Sequence, residues 1–126
     1  MADGGDAPRH RFPERVYGVG DEPDPRFSLA NERTFLAWIR TSLALLAGGV
    51  ALVALDLPMH PGLRDTAAVV LLVAGALLPF QAWFGWVRIE RAMRLGRPLP
   101  PPLVALPVAV VVAVVGVLVL IGFLAR

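Results

Sequence analysis

The chain has 126 residues, a mean hydropathy of +0.65 and 56% hydrophobic residues, too apolar for an ordinary soluble domain of this length. It contains no cysteine, which excludes disulfides and thiolate metal sites. The formal net charge is only +2 and all twelve basic residues are arginine, so the placement of charge matters more than its excess.

Residues 1–27 are rich in Gly, Pro, Asp and Arg without apolar periodicity and are expected to form a disordered tail. No apolar run of the kind a secretory signal needs occurs before Phe35. Ser28 is a suitable N-cap, and a helix can run from it through LANERTFLAWIRTSLALLAGGVALVAL until Asp56, Pro58, Pro61 and Gly62 stop it. The fully apolar part, Leu43 to Leu55, spans only about 20 Å at 1.5 Å per residue, against a hydrocarbon core of about 30 Å. The first span is therefore expected over about 35–57, extended by a polar amphipathic turn, which places Arg40 inside the membrane.

A second span is expected over residues 66–87, with Pro79 and Gln81 inside it. Pro79 has no N–H for the carbonyl of Gly75, which predicts a kink or a wet spot. The helix should continue through RIERAMRL to Gly96, a good C′ residue, before RPLPPP forces an extended turn. The third span covers residues 103–125. The expected fold is thus an all-α membrane protein, a three-helix domain over residues 28–126.

Orientation follows from the arginines. With three spans, the tail and the second loop share a side, and together they carry nine arginines: Arg9, Arg11, Arg15, Arg26, Arg33, Arg88, Arg91, Arg94 and Arg97. The other side has Arg64 and Arg126. An excess of basic residues marks the cytoplasmic face, so the N-terminus is expected inside and the C-terminus outside. Trp38, Trp83 and Trp86 all fall near the cytoplasmic interface in this topology, as an aromatic belt does.

The stretch RFSLANERTFLAWIRT, with RAMRL and a following LP, resembles the YidH-like family of small bacterial inner-membrane proteins, from about Asp24 to the C-terminus. That resemblance implies a bacterial inner-membrane location and a domain whose function is unknown. It also implies a more distant relation to the membrane domain of fungal vacuolar transporter chaperone subunits, whose basic helices surround a path for polyphosphate. The soluble polymerase and sensor domains of those complexes have no counterpart in this chain.

On a helical wheel Arg33 and Arg40 lie two turns apart and nearly eclipsed, with Ala37, Ala44, Thr41 and Gly48 beside them. Small residues permit close helix approach, and an arginine facing lipid costs several kcal/mol, so this stripe is expected to face protein or a water-filled vestibule. The alternative is that Arg40 snorkels to the headgroups while Glu32 and Arg33 form a solvated first turn. Gln81 lies at the depth of Arg40, so either the two share a bond or cavity, or Gln81 binds backbone freed by Pro79. Glu32, Thr41 and Gln81 are the candidate intramembrane polar partners; Arg33, Arg40 and Arg88 are the candidate anion site. Arg91, Arg94 and Arg97 are candidates for binding anionic lipid headgroups, with Glu90 and Arg94 as a weak i,i+4 pair. In the third span, Ala105, Ala109, Ala113 and Gly116 outline a small-residue seam.

Other chemistry is sparse. His10 and His60 stand on opposite sides of the membrane in this topology and cannot share a metal or a triad. No phosphate-binding glycine loop precedes a helix, and no folded basic platform suggests nucleic acid. The expectation is a multi-pass protein without catalysis or cofactor, either an oligomeric bundle that binds or conducts a phosphate-type anion, or an accessory subunit that organises a partner or anionic lipid.

Overall fold

A computed structural model of the chain describes residues 11–101 and 103–126. Among these are four helices and no strand: α1 (Glu14–Tyr17), α2 (Pro25–Ala54), α3 (Pro61–Arg94) and α4 (Ala105–Leu124). The last three are long and apolar enough to cross a membrane. The expectation of disorder over residues 1–10, and the reading of His10, lie outside the described residues.

α2 starts one turn before the Ser28 cap expected from sequence. Asp24 is the N-cap, its carboxylate accepting from the Arg26 N–H at 2.9 Å, and Pro25 stands at N1 where a missing N–H costs nothing. Pro61 likewise opens α3 instead of merely ending α2, with His60 as its cap: Nδ1 accepts from Gly62 N and Leu63 N. At its far end α3 stops at Gly96, whose φ of 65° is the left-handed conformation that closes a helix. The Arg97 N–H then reaches back to the Ala92 carbonyl at 2.9 Å.

α3 is the central element. α2 and α4 each pack against it, and among the described residues no Cα pair joins α2 to α4 within 8 Å. The α2–α3 contact is built from Leu45, Leu52, Ala67, Ala68, Leu71 and Leu78, all buried. Glycines set its closeness: a Cβ on Gly49 would lie 2.8 Å from Leu72 Cγ, and one on Gly75 would lie 2.8 Å from Leu46 Cγ. α4 meets α3 through Val108, Val111, Val115, Leu118 and Gly122. The small-residue seam expected on α4 is therefore not its packing face: Ala105, Ala109, Ala113 and Gly116 are exposed, while the valines opposite fill the contact.

Helix lengths locate the bilayer. α4 has 20 residues, about 30 Å, which matches the hydrocarbon core. α2 and α3, with 30 and 34 residues, run to about 45 and 51 Å. At the hairpin end the His60 N–H bonds the Gly122 carbonyl at 2.9 Å, so α3 begins level with the end of α4. The surplus length of α2 and α3 therefore projects past the start of α4 at the opposite, tail end.

Candidate functional site

That projecting pair of helix ends is covered by the tail. Residues 11–24, expected to be disordered, take a defined path across the end of α3. Val16 is fully buried. The fastening uses backbone acceptors, which composition does not advertise. Arg94 donates from Nε to the Val19 carbonyl at 2.8 Å and from Nη2 to that of Tyr17 at 3.3 Å. The Asp21 N–H returns a bond to the Arg94 carbonyl at 3.0 Å, and Arg91 donates to the Arg15 carbonyl at 2.9 Å. Gly20 permits this approach, for its φ is 59° and a Cβ there would sit 2.1 Å from the Arg94 carbonyl oxygen.

Arg94 is thus a buried clamp and not a surface contact for lipid headgroups, because its donors are spent on the tail. Nor does Glu90 pair with it. Glu90, only 2% exposed, accepts from Ser28 Oγ at 3.1 Å and from Asn31 Nδ2 at 3.2 Å. Asn31 also donates to the Trp86 carbonyl at 3.1 Å. This Ser28–Asn31–Glu90 cluster joins the first turns of α2 to the last turns of α3. The sequence carries its signal in the spacing of Ser28 and Asn31, one helical turn apart on a single face.

Above the cluster the tail, α2 and α3 line an open cavity of about 470 Å³. Trp83 and Trp86 stack in its wall with centroids 5.3 Å apart; Phe35 meets Trp83 edge-on at 6.4 Å, and Tyr17 meets Trp86 at 6.5 Å. Glu22, Glu32 and Glu90 line it, as do Arg11 and Arg94. Three carboxylates face two guanidiniums in this lining, and Glu22 pairs with both of them.

Deeper in the bilayer, Ser42 donates to the Gly75 carbonyl at 2.6 Å. Gly75 is the residue whose carbonyl Pro79 leaves without its helical N–H. α3 remains one helix through Pro79, and the freed acceptor takes a hydroxyl from the neighbouring helix instead of the Gln81 amide. Ser42 was missed because a lone serine among leucines reads as incidental until its partner across the interface is known.

The remaining candidates are not brought together. Arg33 and Arg40 are exposed, roughly 160–180° around α2 from Ser42 at 100° per residue, and neither forms a side-chain hydrogen bond or ion pair among the described residues. Thr41 donates to the Ala37 carbonyl within its own helix at 3.1 Å. Gln81 is exposed in the crevice between α3 and α4, beside Val104 and Val108, and does not meet Arg40. Arg88 lines a small separate hollow of about 140 Å³ with Thr34, Gln81 and Pro100. Glu32 faces the tail-end cavity. A vestibule of Arg33, Arg40 and Arg88 within one chain is therefore not formed; α2 itself stands between its parts. Arg97, like Arg91, is exposed at the tail end.

Residues 26–92 match the family model described as a domain of unknown function, DUF202. The chain is 43% identical over 108 residues to the inner membrane protein YidH of Escherichia coli strain K12, covering 84% of this chain and 93% of that one. It is 48% identical over 100 residues to an uncharacterized protein of Mycobacterium tuberculosis strain CDC 1551, covering 79% and 82% respectively. No solved structure matches the chain. The matched region begins at the first turn of α2 and ends in the last turn of α3, so it holds the Ser28–Asn31–Glu90 cluster and the Ser42–Gly75 bond.

Proposed function

The chain belongs to the DUF202 family of membrane proteins, which includes the YidH-like inner-membrane proteins, and from that premise we propose that it is a non-catalytic subunit of an oligomer in the bacterial inner membrane, binding phosphate-type anions along the outer face of α2. The observation that carries this reading is the position of Arg33 and Arg40. Both lie on the side of α2 turned away from α3, with Ala37 and Ala44 between and beyond them, and all four are exposed. A guanidinium at membrane depth requires a partner, and small residues on the same stripe admit a second helix closely. A neighbouring copy that brings its own α2 there would gather the arginines of both chains. An anionic phosphate group would then offset charge that no carboxylate on this face can balance. In this arrangement the N-terminus is cytoplasmic and the C-terminus outside, following the arginine excess at the tail end.

A second reading is favoured by Arg88, Arg91 and Arg97, exposed at the tail end where headgroups lie. There the protein organises anionic lipid or a membrane partner and conducts nothing.

Cross-linking in native membranes tests the assembly: discrete multimers trapped through cysteines placed at Ala37 or Ala44 are expected, and a solitary monomer would leave only anchoring. The anion is tested with polyphosphate and purified protein. Binding lost in Arg40→Ala and retained in Arg97→Ala supports the α2 site; the reverse pattern supports the headgroup reading. Arg94→Ala is an unsuitable control, since it also frees the tail.

A further inference from the structure

We infer that the tail-end cavity is a binding site for a small organic cation, an amine or quaternary ammonium group, and that the Arg11 guanidinium takes its place in this structure. The cavity's volume of about 470 Å³ falls within the range of about 300–1,000 Å³ common to small-molecule sites. Its wall is aromatic: Tyr17, Phe35, Trp83 and Trp86 present four ring systems, and ring faces attract cations most strongly where water is displaced. Its charged groups favour the same sign. Glu22, Glu32 and Glu90 face two arginines, one of which, Arg94, is committed to the carbonyls of Tyr17 and Val19 and to Glu22 at 3.6 Å. With Arg11 in place the lining has one surplus negative charge, and with Arg11 withdrawn it has two.

Arg11 shows how such a ligand sits. Its guanidinium carbon lies 4.3 Å from the centroid of the Tyr17 ring, and it pairs with Glu22. Its side chain is 47% exposed, and the neighbouring Phe12 ring stacks on Trp83 at 6.2 Å. A ligand ammonium that displaces Arg11 keeps both contacts, next to the stacked rings of Trp83 and Trp86. An anion would meet three carboxylates instead.

The cavity opens at the level where α2 and α3 leave the hydrocarbon core, which offers two sources of one chemistry: the amine of a lipid headgroup or a free amine from solution. The site is separate from the outer face of α2, so it stands or falls independently of the assembly proposed above.

The test uses the full chain carrying Trp38→Phe, in nanodiscs of phosphatidylglycerol, titrated with tetramethylammonium chloride while the emission of Trp83 and Trp86 is followed. Sodium chloride at equal ionic strength is the control. A saturable change is expected, about tenfold tighter in Arg11→Ala and severalfold weaker in Glu32→Gln; both residues are exposed, and circular dichroism checks that each variant keeps its helices. Phosphatidylethanolamine added to the nanodisc either competes, which identifies the lipid amine as the occupant, or does not, which identifies a free amine. No saturable change in the parent and in Arg11→Ala, or a response equal to that of sodium chloride, overturns the site. Unchanged affinity in Arg11→Ala overturns the role given to that arginine.

Discussion

The two faces of α2 follow opposite rules. The inner face, Asn31, Ser42, Leu45 and Gly49, is buried, and its polar groups all find acceptors on α3. The outer face, Arg33, Ala37, Arg40 and Ala44, carries more charge and makes no polar contact with α3 or the tail. Small neutral polar groups close an interface within the chain because one hydrogen bond satisfies each of them. A guanidinium has five donors and a fixed charge, so one backbone acceptor leaves most of it unsatisfied. The conspicuous stripe is thus the one that takes no part in the fold, and the inconspicuous one builds it.

The sharpest break in that comparison comes from adding volume to each face in turn. Gly75→Leu places side-chain atoms where Leu46 already stands, with its Cβ alone 2.8 Å from Leu46 Cγ. The neighbour is constrained by its own backbone, whose nitrogen would lie only 3.1 Å away. A loss of about 3 kcal/mol in unfolding free energy is expected, the upper part of the range for overpacking, measured by steric-trap unfolding in bicelles. Ala44→Leu on the outer face should change the same quantity by less than about 0.5 kcal/mol. Equal losses at the two positions would mean that the inner face is not the one that holds the chain together.

The next effect concerns the clasp between the helices. Ser42→Ala leaves the Gly75 carbonyl without either its helical donor or its substitute, and a buried orphan acceptor costs about 1–2 kcal/mol. Pro79→Ala restores a helical N–H to that carbonyl. In the Pro79→Ala background the Ser42→Ala cost should therefore fall by about half or more, a coupling that a double-mutant cycle reads directly. Simple additivity of the two changes would show that the hydroxyl serves some other partner.

The outer face predicts a contrast of readouts. Arg33→Gln with Arg40→Gln should leave the unfolding of the isolated chain within about 0.5 kcal/mol, while abolishing the cross-linked multimers. A stability loss as large as that of Ser42→Ala would place these arginines inside the fold after all.

Much of the architecture was legible from the sequence because it rests on one-dimensional signals. The apolar runs, the helix breakers at Asp56 and Pro58, and the stop at Gly96 each act through local backbone chemistry. The pairing of faces was not legible, because it depends on which acceptors a second helix presents. Pro79 announced a free carbonyl at Gly75, but only the crossing of α2 over α3 puts Ser42 within 2.6 Å of it. Glu90 read as half of a surface i,i+4 pair with Arg94, yet the two turn to different partners: Glu90 to Ser28 and Asn31, Arg94 to the tail carbonyls. The tail itself was illegible for the same reason. Its hydrogen bonds to α3 are made by its backbone, which every sequence has, and its apolar anchors, Val16 and the rings of Phe12 and Tyr17, are scattered through a run of Gly, Pro and charge.

The smallest effect separates the tail's hold on α2 from the inner face below it. Asp24 caps α2, and the Arg26 guanidinium, then the Arg26 N–H, hold its carboxyl below the usual carboxylate value of 3.8. The same contact moves the Arg26 guanidinium upward. A carboxyl depressed in the folded state favours folding above its unfolded pKa, and that contribution fades as pH drops through the lower, folded value. The first turn of α2 should therefore stay closed at neutral pH and fray only below about 3.8, where the protonated carboxyl loses its charge-assisted bonds to Arg26. Amide exchange at Phe27 and Ser28, whose N–H groups bond the Asp24 carbonyl at 3.0 and 3.4 Å, reports that turn selectively. Asp24→Asn keeps an acceptor for the Arg26 N–H but has no proton to gain, so its exchange should lose the acid transition. Gly75 lies in the buried crossing of α2 and α3 and should show no change over the same range. Fraying in Asp24→Asn at the same pH as in the parent would assign the transition to another carboxyl of the tail, and the cap would then be a contact without a pH-dependent part in holding α2.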